Sequence, residues 1–341
     1  MRFTQCGAAV LVAAVMLASC GRPAQRAEAP APAAKSANTA GVDTKSGPEL
    51  KRLAIPDQFD EGGVFSDGLA AVRIGPRFGY IDTKGNVAIK PQFDFAGPFA
   101  EGVAHAGIGG KVGYIDKTGN FVITPKLEIV DLFAFSEGLA AVRIGEYLSG
   151  KWGFIDKQGK LVIPAQFEGA GSFSDGLAVV RVDGKWGYID KQGKMAIKPQ
   201  FATAGSFSDG LASVRTGDFV TGKDGYIDKD GKMVIAAQFD GAFPFRDGLA
   251  DVRVGSKYGF IDKQGKFVIE PKFDFADSFS GGLAAIRAGD EAMGKYGFID
   301  REGKTVISPQ FDFADLFSPS DGLAAVRIGD QDSGKYGYIT R

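Results

Sequence analysis

The sequence predicts an all-β fold built from eight short repeat units. A Gly-Tyr/Phe-Ile motif, followed by Asp in seven units, recurs with its glycines at Gly79, Gly113, Gly153, Gly187, Gly225, Gly259, Gly297 and Gly337. Short runs rich in β-branched and aromatic residues flank the motif, as is typical of strands. Glycine supplies 49 of the 341 residues, and each Gly in a helix interior costs about 1 kcal/mol relative to Ala. Long helices are therefore disfavoured.

A tight hairpin follows the motif. Asp190-Lys191-Gln192-Gly193 places Asp at the first position of a type I turn and Gly where a positive φ is required. Equivalent segments lie at residues 82–85, 116–119, 156–159, 228–231, 262–265 and 300–303. The motif glycines are 34 to 40 residues apart, and a period of about 34 also fits tetratricopeptide helix pairs. The hairpin residues favour strands over helix pairs. Trp152–Ile155 and Lys160–Ile163 are two of the predicted strands.

A third strand begins at a second recurring marker, in most units an acidic residue followed by Gly, Leu or Val, and Ala. Residues 139–144, Leu-Ala-Ala-Val-Arg-Ile, are an example. Each unit is therefore predicted to be a three-stranded meander closed by a longer loop that holds Pro-Gln-Phe and Phe-Ser-Asp-Gly. Because one such unit cannot bury its apolar face alone, its phenylalanines are expected to fill the seams between neighbouring units.

The two ends of the repeat region are cut within a unit. Residues 53–59 match the second strand of the complete unit, 195–201, and the chain stops after the first strand of the last unit, 336–341. If these two ends pair, the array closes without free edges, as in a β-propeller. We therefore favour a closed, propeller-like ring of eight units. An open β-solenoid is the alternative, because about 34 residues is short for a four-stranded blade.

The repeat resembles the WG-repeat (KWG-repeat) family of bacterial proteins. The best-formed unit reads Lys185-Trp186-Gly187-Tyr188-Ile189-Asp190, and the resemblance extends over about 53–341. The Trp-Gly pair itself survives only at Trp152 and Trp186, whereas Val112 and Asp224 depart from the aromatic position. An unpaired carboxylate is costly to bury, so Asp224 is predicted to lie near the surface.

The amino terminus predicts export. Residues 1–19 have a basic start, an apolar stretch and small residues, which is the pattern of a secretory signal peptide. The segment Leu17-Ala18-Ser19-Cys20 resembles the lipobox of bacterial lipoproteins, and this resemblance implies cleavage before Cys20 and lipidation of that residue. The alternative is a plain secretory signal with a stray Cys.

The predicted lipid anchor leads into a tether. Residues 20–50 are rich in Ala and Pro without an apolar period, so we expect a disordered tether before the repeat domain, 51–341. Gly21 stands where an inner-membrane retention signal would carry Asp. The resemblance therefore implies a membrane-anchored lipoprotein of the outer membrane, on its periplasmic side or at the cell surface.

Composition excludes several classes of activity. The 40 basic residues balance 41 acidic ones, so there is no basic footprint for nucleic acid. Cys6 and Cys20 both fall in the leader region, and His105 is the single histidine. We therefore expect no enzyme, no cofactor and no metal site, and we expect His105 to be a surface or seam residue without a role.

Two repeated side-chain series could face a ligand. An arginine ends the third strand in seven units, and an aromatic residue precedes most motif glycines. Arginine can hold carboxylates, sulfates or phosphates, and aromatic rings can stack on sugars. The candidate ligand-facing residues are Trp152, Trp186, Tyr258, Tyr296, Tyr336, Arg143, Arg181 and Arg215. The competing interpretation is structural: the arginines pair with nearby carboxylates, the aromatic residues are core, and the Ile-Asp aspartates shape turns.

Insertions after the third strand mark a candidate partner rim. They occupy the same turn in several units and carry Glu146, Asp218, Asp290, Glu291, Asp330 and Asp332. Insertions on one face are where repeat proteins commonly bind. The leading functional hypothesis is a non-catalytic, lipid-anchored scaffold that binds envelope or surface proteins. The alternative is a lectin-like module that binds glycan or peptidoglycan.

Overall fold

The fold is an eight-bladed β-propeller. A computed structural model describes residues 53–124, 129–146, 148–289 and 294–341, and within them the strands form eight four-stranded antiparallel sheets. The predicted all-β class, the number of units and the closed ring are confirmed, and the open solenoid is wrong. Among these residues, no helix is long and apolar enough to cross a membrane.

Each blade is a meander of strands A, B, C and D. Blade 1 contains β2 (Glu61–Gly62), β3 (Leu69–Ile74), β4 (Arg77–Asp82) and β5 (Val87–Phe93). Blade 2 contains β6 (Phe95–Ala100), β7 (Val103–Ile108), β8 (Lys111–Ile115) and β9 (Phe121–Ile123). Blade 3 contains β10 (Ile129–Leu132), β11 (Leu139–Ile144), β12 (Lys151–Asp156) and β13 (Leu161–Phe167). Blade 4 contains β14 (Gly169–Ser174), β15 (Leu177–Val182), β16 (Lys185–Ile189) and β17 (Met195–Phe201).

The remaining blades follow the same order, and the last takes strand D from the start of the repeat domain. Blade 5 contains β18 (Thr203–Ala204), β19 (Ala212–Thr216), β20 (Lys223–Ile227) and β21 (Met233–Phe239). Blade 6 contains β22 (Gly241–Ala242), β23 (Ala250–Val254), β24 (Lys257–Ile261) and β25 (Phe267–Phe273). Blade 7 contains β26 (Phe275–Ala276), β27 (Ala284–Ala288), β28 (Lys295–Ile299) and β29 (Thr305–Phe311). Blade 8 contains β30 (Phe313–Ala314), β31 (Leu323–Ile328), β32 (Lys335–Thr340) and β1 (Ile55–Phe59).

The predicted three-stranded unit is wrong by one strand. Pro-Gln-Phe, expected in the closing loop, ends strand D in β17, and strand A follows at once. In blade 5 strand A pairs Thr203 with Arg215 and Ala204 with Val214. This strand is only two residues long in five blades. So short a strand has no alternating pattern that a sequence could display.

The predicted hairpins are confirmed. The Asp190 Oδ1 atom accepts hydrogen bonds from the amides of Gln192 at 3.0 Å and Lys194 at 2.9 Å, and Gly193 has a φ of 79°. The turn between strands A and B is equally tight. Ser208 and Leu211 exchange both backbone hydrogen bonds across Asp209-Gly210, where both φ angles are positive, as in a type I′ turn.

The apolar core lies in the seams between blades. Each of the eight buried clusters is assembled from two neighbouring blades. In the seam between blades 4 and 5, Tyr188 of strand C packs on Phe207 with ring centroids 4.8 Å apart. Its hydroxyl donates to the Gly205 carbonyl at 2.8 Å. The equivalent Tyr/Phe–Phe pair recurs in every seam at 4.7 to 4.9 Å.

The ring closes by the same contacts. Strand β1 pairs with β32, which places Ile55 opposite Tyr338. The Tyr338 ring packs on Phe65 at 4.9 Å, and its hydroxyl donates to the Gly63 carbonyl at 2.9 Å, across 275 positions of sequence. The two cut ends therefore complete one blade and one seam.

The motif glycine is required by a close backbone approach. A Cβ atom at Gly187 would lie 2.5 Å from the Ile197 carbonyl oxygen and 2.7 Å from the Pro199 nitrogen. Both atoms belong to the backbone of strand D, which cannot move away without breaking its pairing with strand C. The same contact recurs at Gly225 and Gly297 with equal distances to the carbonyl.

We expect Gly187→Ala to destabilise the domain by about 1–3 kcal/mol, the usual cost of overpacking a core. The measurement is the free energy of unfolding from urea titration. Gly241→Ala is the matched control, because a Cβ there would meet ordinary contacts no closer than 3.4 Å. Equal stability of the two variants would contradict the close-approach explanation.

Candidate functional site

The two ends of the propeller carry different turns. The A–B and C–D turns lie at one end, which we name the A–B face, and the B–C turns and D-to-A connections lie at the other, which we name the B–C face. Since Ile55 pairs with Tyr338 near the end of strand C, the described chain starts at the A–B face. The insertions belong to the B–C face.

Acidic side chains join neighbouring blades on the A–B face. The carboxylate of Asp175 accepts a hydrogen bond from the amide of Gly210 in the next blade at 2.7 Å. Equivalent links run from Asp67 to Gly102, Glu101 to Gly138, Glu137 to Gly176, Asp209 to Gly248 and Asp247 to Gly282. Between blades 7 and 8, Gly281 stands where the other blades carry an acid, and its carbonyl accepts a hydrogen bond from Arg341 at 3.0 Å. These carboxylates are therefore structural.

A second set of acids joins the blades on the B–C face. Asp240, between blades 5 and 6, accepts from the Gly255 amide at 2.7 Å and pairs with Lys223 at 2.5 Å. The same amide link is made by Asp60, Asp94, Glu168, Asp274 and Asp312. Between blades 4 and 5 the acidic position is occupied by Ala202, so blade 5 lacks this link on its side facing blade 4.

The predicted rim residues lie in B–C turns of separate blades. Glu146 is in blade 3, Asp218 in blade 5, and Asp330 and Asp332 in blade 8, whereas Asp290 and Glu291 lie outside the described residues. The described insertions, in blades 3, 5 and 8, share one face. Because blade 4 separates blades 3 and 5, and blades 6 and 7 separate blades 5 and 8, these acids do not form one cluster.

Two of the rim acids are occupied by their own loops. Asp218 accepts hydrogen bonds from the amides of Val220 at 2.8 Å and Thr221 at 2.7 Å. The Thr221 hydroxyl, together with these amides, lowers the pKa of Asp218 to about 2. Asp330 caps its loop in the same way through Ser333. Their first role is to fix the loop conformation.

The insertions of blades 3 and 5 instead expose apolar side chains. Leu148 is 94% exposed and Val220 is 83% exposed, and Phe219 beside it is 49% exposed. Both loops are closed at their base. The Gly150 amide donates to the backbone carbonyl of Glu146 at 2.7 Å, and the Gly222 amide donates to the backbone carbonyl of Asp218 at 3.0 Å. Sequence reasoning selected the acids of these loops and missed their apolar residues.

The arginine series divides into paired and unpaired members. Four pair with an acid: Arg73 with Glu61 at 2.8 Å, Arg143 with Asp131 at 3.1 Å, Arg181 with Glu168 at 3.8 Å, and Arg215 with Asp224 at 2.7 Å. Arg253 donates to the carbonyls of Gly255 and Asp240. Arg287 and Arg327 have no acidic partner among the described residues. The candidates Arg143, Arg181 and Arg215 are therefore held by carboxylates.

The aromatic series is also divided. Trp152 is 7% exposed, stacks on Phe133 at 5.1 Å and lies under Arg143, so its prediction as ligand-facing is wrong. Trp186 is half-buried over Gly169. Tyr258, Tyr296 and Tyr336 are half-buried and form a row with intervening phenylalanines on the B–C side of blades 6 to 8.

Asp224 is buried, which corrects its predicted surface position. It receives two hydrogen bonds from the Arg215 guanidinium, at 2.7 and 3.1 Å, and one from the Ala242 amide at 3.1 Å. A bidentate, charge-assisted pair offsets the cost of burying the carboxylate. The surface prediction assumed an unpaired acid, because the sequence alone does not identify Arg215 as the partner of Asp224.

The single histidine packs against strand A of its own blade, blade 2. The His105 ring packs over Gly97, where a Cβ would overlap it, and its Nδ1 atom is buried without a partner. Burial lowers the pKa of His105 to about 4, so the ring is neutral at pH 7. Within the described part of the chain, no group of three His, Cys, Asp or Glu side chains is placed to hold a metal ion.

Blades 6 to 8 contain a group of acids with raised pKa values. Asp251 is 2% exposed and accepts a hydrogen bond from the Ser278 hydroxyl at 2.9 Å. Burial, reinforced by the Asp277 charge, raises the pKa of Asp251 to about 8. Burial likewise raises the pKa of Asp277 and that of Asp315, the latter to about 6. Asp251 therefore carries a proton at neutral pH.

We expect the domain to lose stability as the pH rises from 5 to 8. An unfolded Asp ionises near pH 4, so in this window the folded state holds a proton at Asp251 that the unfolded state has lost. Asp251→Asn, which keeps an oxygen acceptor for Ser278, should make the melting temperature less dependent on pH. Asp218→Asn is the control and should leave this slope unchanged, because its pKa is lowered. An unchanged slope in Asp251→Asn would contradict the assignment.

Sequence comparison agrees with the repeat pattern. The profile of the WG containing repeat matches residues 51–75, 78–111, 113–147, 152–186, 186–218, 225–258, 258–291 and 296–339. No curated protein sequence matches the chain significantly.

Several solved structures match the chain at low sequence identity. PorZ, a bacterial surface component of the type-IX secretion system of Porphyromonas gingivalis, is 10% identical, with a TM-score of 0.43 over 83% of this chain and 43% of that one. The tricorn protease is 13% identical, with a TM-score of 0.35 over 80% and 34%. Kluyveromyces lactis Hsv2 is 10% identical, with a TM-score of 0.39 over 84% and 98%. The chain thus spans less than half the length of the first two, and no functional property is transferred from any of them.

Proposed function

Since the chain belongs to the WG-repeat family and its eight repeats close into one propeller, we propose that it is a non-catalytic binding module for protein partners. It is anchored to the cell envelope by lipid at Cys20, and its B–C face receives the partner. The observation that carries the proposal is the pair of insertion loops in blades 3 and 5, which present Leu148, Phe219 and Val220 to solvent.

The exposed apolar side chains lie at one end of the propeller, on the two loops that flank blade 4. Single exposed hydrophobic residues are common on protein surfaces, but these three lie on two loops at the same end of the propeller, with only the short B–C turn of blade 4 between them. Other strand B ends on this face expose Ile74, Ile108, Val254 and Ile328. Apolar side chains with a polar rim are typical of protein interaction sites.

The loops are held in place for binding. Hydrogen bonds close each loop at its base, and Asp218 fixes the tip that carries Phe219 and Val220. A surface that is ordered before binding loses less conformational entropy when a partner docks.

We expect Leu148→Glu combined with Val220→Glu to reduce recovery of the partner at least tenfold, because two charges would have to be desolvated in an apolar interface. The measurement is cross-linking in intact cells followed by quantitative mass spectrometry of the purified lipoprotein. Val268→Glu is the control, because Val268 is also exposed, at 47%, but lies on strand D of blade 6, outside the two loops. Equal recovery from the variant and from the wild type would contradict a docking role for the loops.

We expect Cys20→Ser to abolish incorporation of labelled fatty acid and Cys6→Ser to leave it unchanged, because only Cys20 ends the lipobox-like segment. Metabolic labelling and immunoprecipitation measure this directly. Label that persists in Cys20→Ser, or that is missing from the wild type, would overturn the anchoring proposal.

A glycan-binding module is the second candidate. The half-buried row of Tyr258, Tyr296 and Tyr336 favours it, because partly exposed aromatic faces on one side of the propeller can stack on sugar rings. This row lies in blades 6 to 8, away from the apolar loops of blades 3 and 5. The two candidates can therefore be tested separately.

A further inference from the structure

We propose that Arg287 and Arg327, together with the aromatic row beside them, form a binding site for a sugar that carries a carboxylate. The site lies on the B–C side of blades 7 and 8. The inference rests on the glycan-binding candidate and names its ligand class. The site is separate from the apolar loops, so it stands or falls independently of the protein-partner function.

The two arginines differ from the other members of their series by what faces them across the sheet. In blades 1 and 3, strand A places Glu61 opposite Arg73 and Asp131 opposite Arg143, and each acid pairs with its arginine. In blades 7 and 8 the opposite residues are Phe275 and Phe313. An aromatic ring in blades 7 and 8 therefore stands at the strand A position where blades 1 and 3 carry an acid, opposite the equivalent arginine.

The guanidinium groups lie against rings instead of carboxylates. Arg287 lies 5.7 Å from the centroid of Phe275 and 5.8 Å from that of Tyr296, and Arg327 lies 5.9 Å from that of Tyr336. The Nε atoms of both arginines are buried without a hydrogen-bond acceptor. Cation–π contacts stabilise the charge. Arg287 Nη1 also donates a long hydrogen bond, 3.5 Å, to the Tyr296 hydroxyl, but neither guanidinium pairs with a carboxylate among the described residues.

Asp274 and Asp312, whose pKa values are lowered by their lysine partners and in part by these two arginines, already have partners. Asp274 pairs with Lys257 at 2.5 Å and accepts the Gly289 amide at 3.1 Å. Asp312 pairs with Lys295 and accepts the Gly329 amide at 2.9 Å. Since these carboxylates hold the blades together, an anion from outside is the natural partner for the two guanidinium groups.

The aromatic row sets the shape of the site. Phe275, Tyr296, Phe313 and Tyr336 follow one another with centroids 5.9 Å apart at each step. All four are half-buried, so each keeps part of its surface open to solvent. Successive rings are tilted by 52–67° from one another. The row therefore offers a series of separate apolar ring surfaces, with one arginine in each of blades 7 and 8.

These features together select an acidic sugar. A pyranose ring has an apolar C–H face that stacks on aromatic rings, and a uronic acid adds a carboxylate that a guanidinium binds with two hydrogen bonds. Inorganic phosphate would use the arginines but not the rings, whereas a neutral sugar would use the rings but not the arginines. A carboxylated sugar uses both.

The test is isothermal titration calorimetry of the domain with oligogalacturonate and with an uncharged malto-oligosaccharide of the same length. We expect saturable binding of oligogalacturonate and binding of the malto-oligosaccharide at least tenfold weaker. The double variant Arg287→Gln/Arg327→Gln should bind oligogalacturonate at least tenfold more weakly. Arg73→Gln/Arg253→Gln is the matched control and should bind like the wild type, because those arginines are already held by Glu61 and by backbone carbonyls.

Folding of every variant is checked by its melting temperature, and Tyr336→Leu gives a second, independent disruption of the site that should also weaken binding. Three outcomes would overturn the proposal: no saturable binding of oligogalacturonate by the wild type, unchanged binding by the Arg287→Gln/Arg327→Gln variant, or inorganic phosphate binding as tightly as oligogalacturonate. None of these would affect the partner recovery that tests the apolar loops.

Discussion

The propeller depends on one repeated contact, the Tyr/Phe–Phe ring pair that spans each seam. All eight pairs have nearly the same centroid separation, including the pair that closes the ring between Tyr338 and Phe65. Such pairs contribute about 0.5–1.5 kcal/mol each beyond the area they bury. Because no blade has a core of its own, every blade relies on two neighbours, and closure gives the first and last blades the partner they would otherwise lack.

Because the seams hold the blades together, the turns at the two ends of the propeller can differ in sequence and in role. Acid-to-amide links join most blades on both faces, and the turn aspartates such as Asp190 are held by their own hairpins. What remains for binding is therefore what departs from the repeat: the apolar insertions of blades 3 and 5, and the arginines of blades 7 and 8 that face phenylalanine. Both departures lie on the B–C face, opposite the end at which the described chain starts.

The site was harder to predict than the fold because pairing decides it. The arginines look alike in sequence, yet Arg215 is held by Asp224 whereas Arg327 has no acidic partner in the described structure. The difference comes from the residues opposite the arginine on strands C and A: Asp224 and Thr203 face Arg215, whereas Tyr336 and Phe313 face Arg327. Strand A was not predicted. The exposed Leu148 and Phe219 could have been noticed, since apolar residues are unusual at a loop tip. The prediction of the rim was instead based on the acids beside them.

The sequence by itself determined the strands B, C and D, their hairpins and the number of units, and it favoured the closure of the ring, which the pairing of β1 with β32 decided. These features follow from local turn chemistry, such as that of Asp190 and Gly193, and from a period that the chain repeats. Only the tertiary structure decided the fourth strand, the burial of Asp224 beside Arg215 and the exposure of the loop residues. Two-residue strands have no pattern of their own, and the partner of a charged or apolar side chain depends on which residues the seams and the sheets bring opposite it.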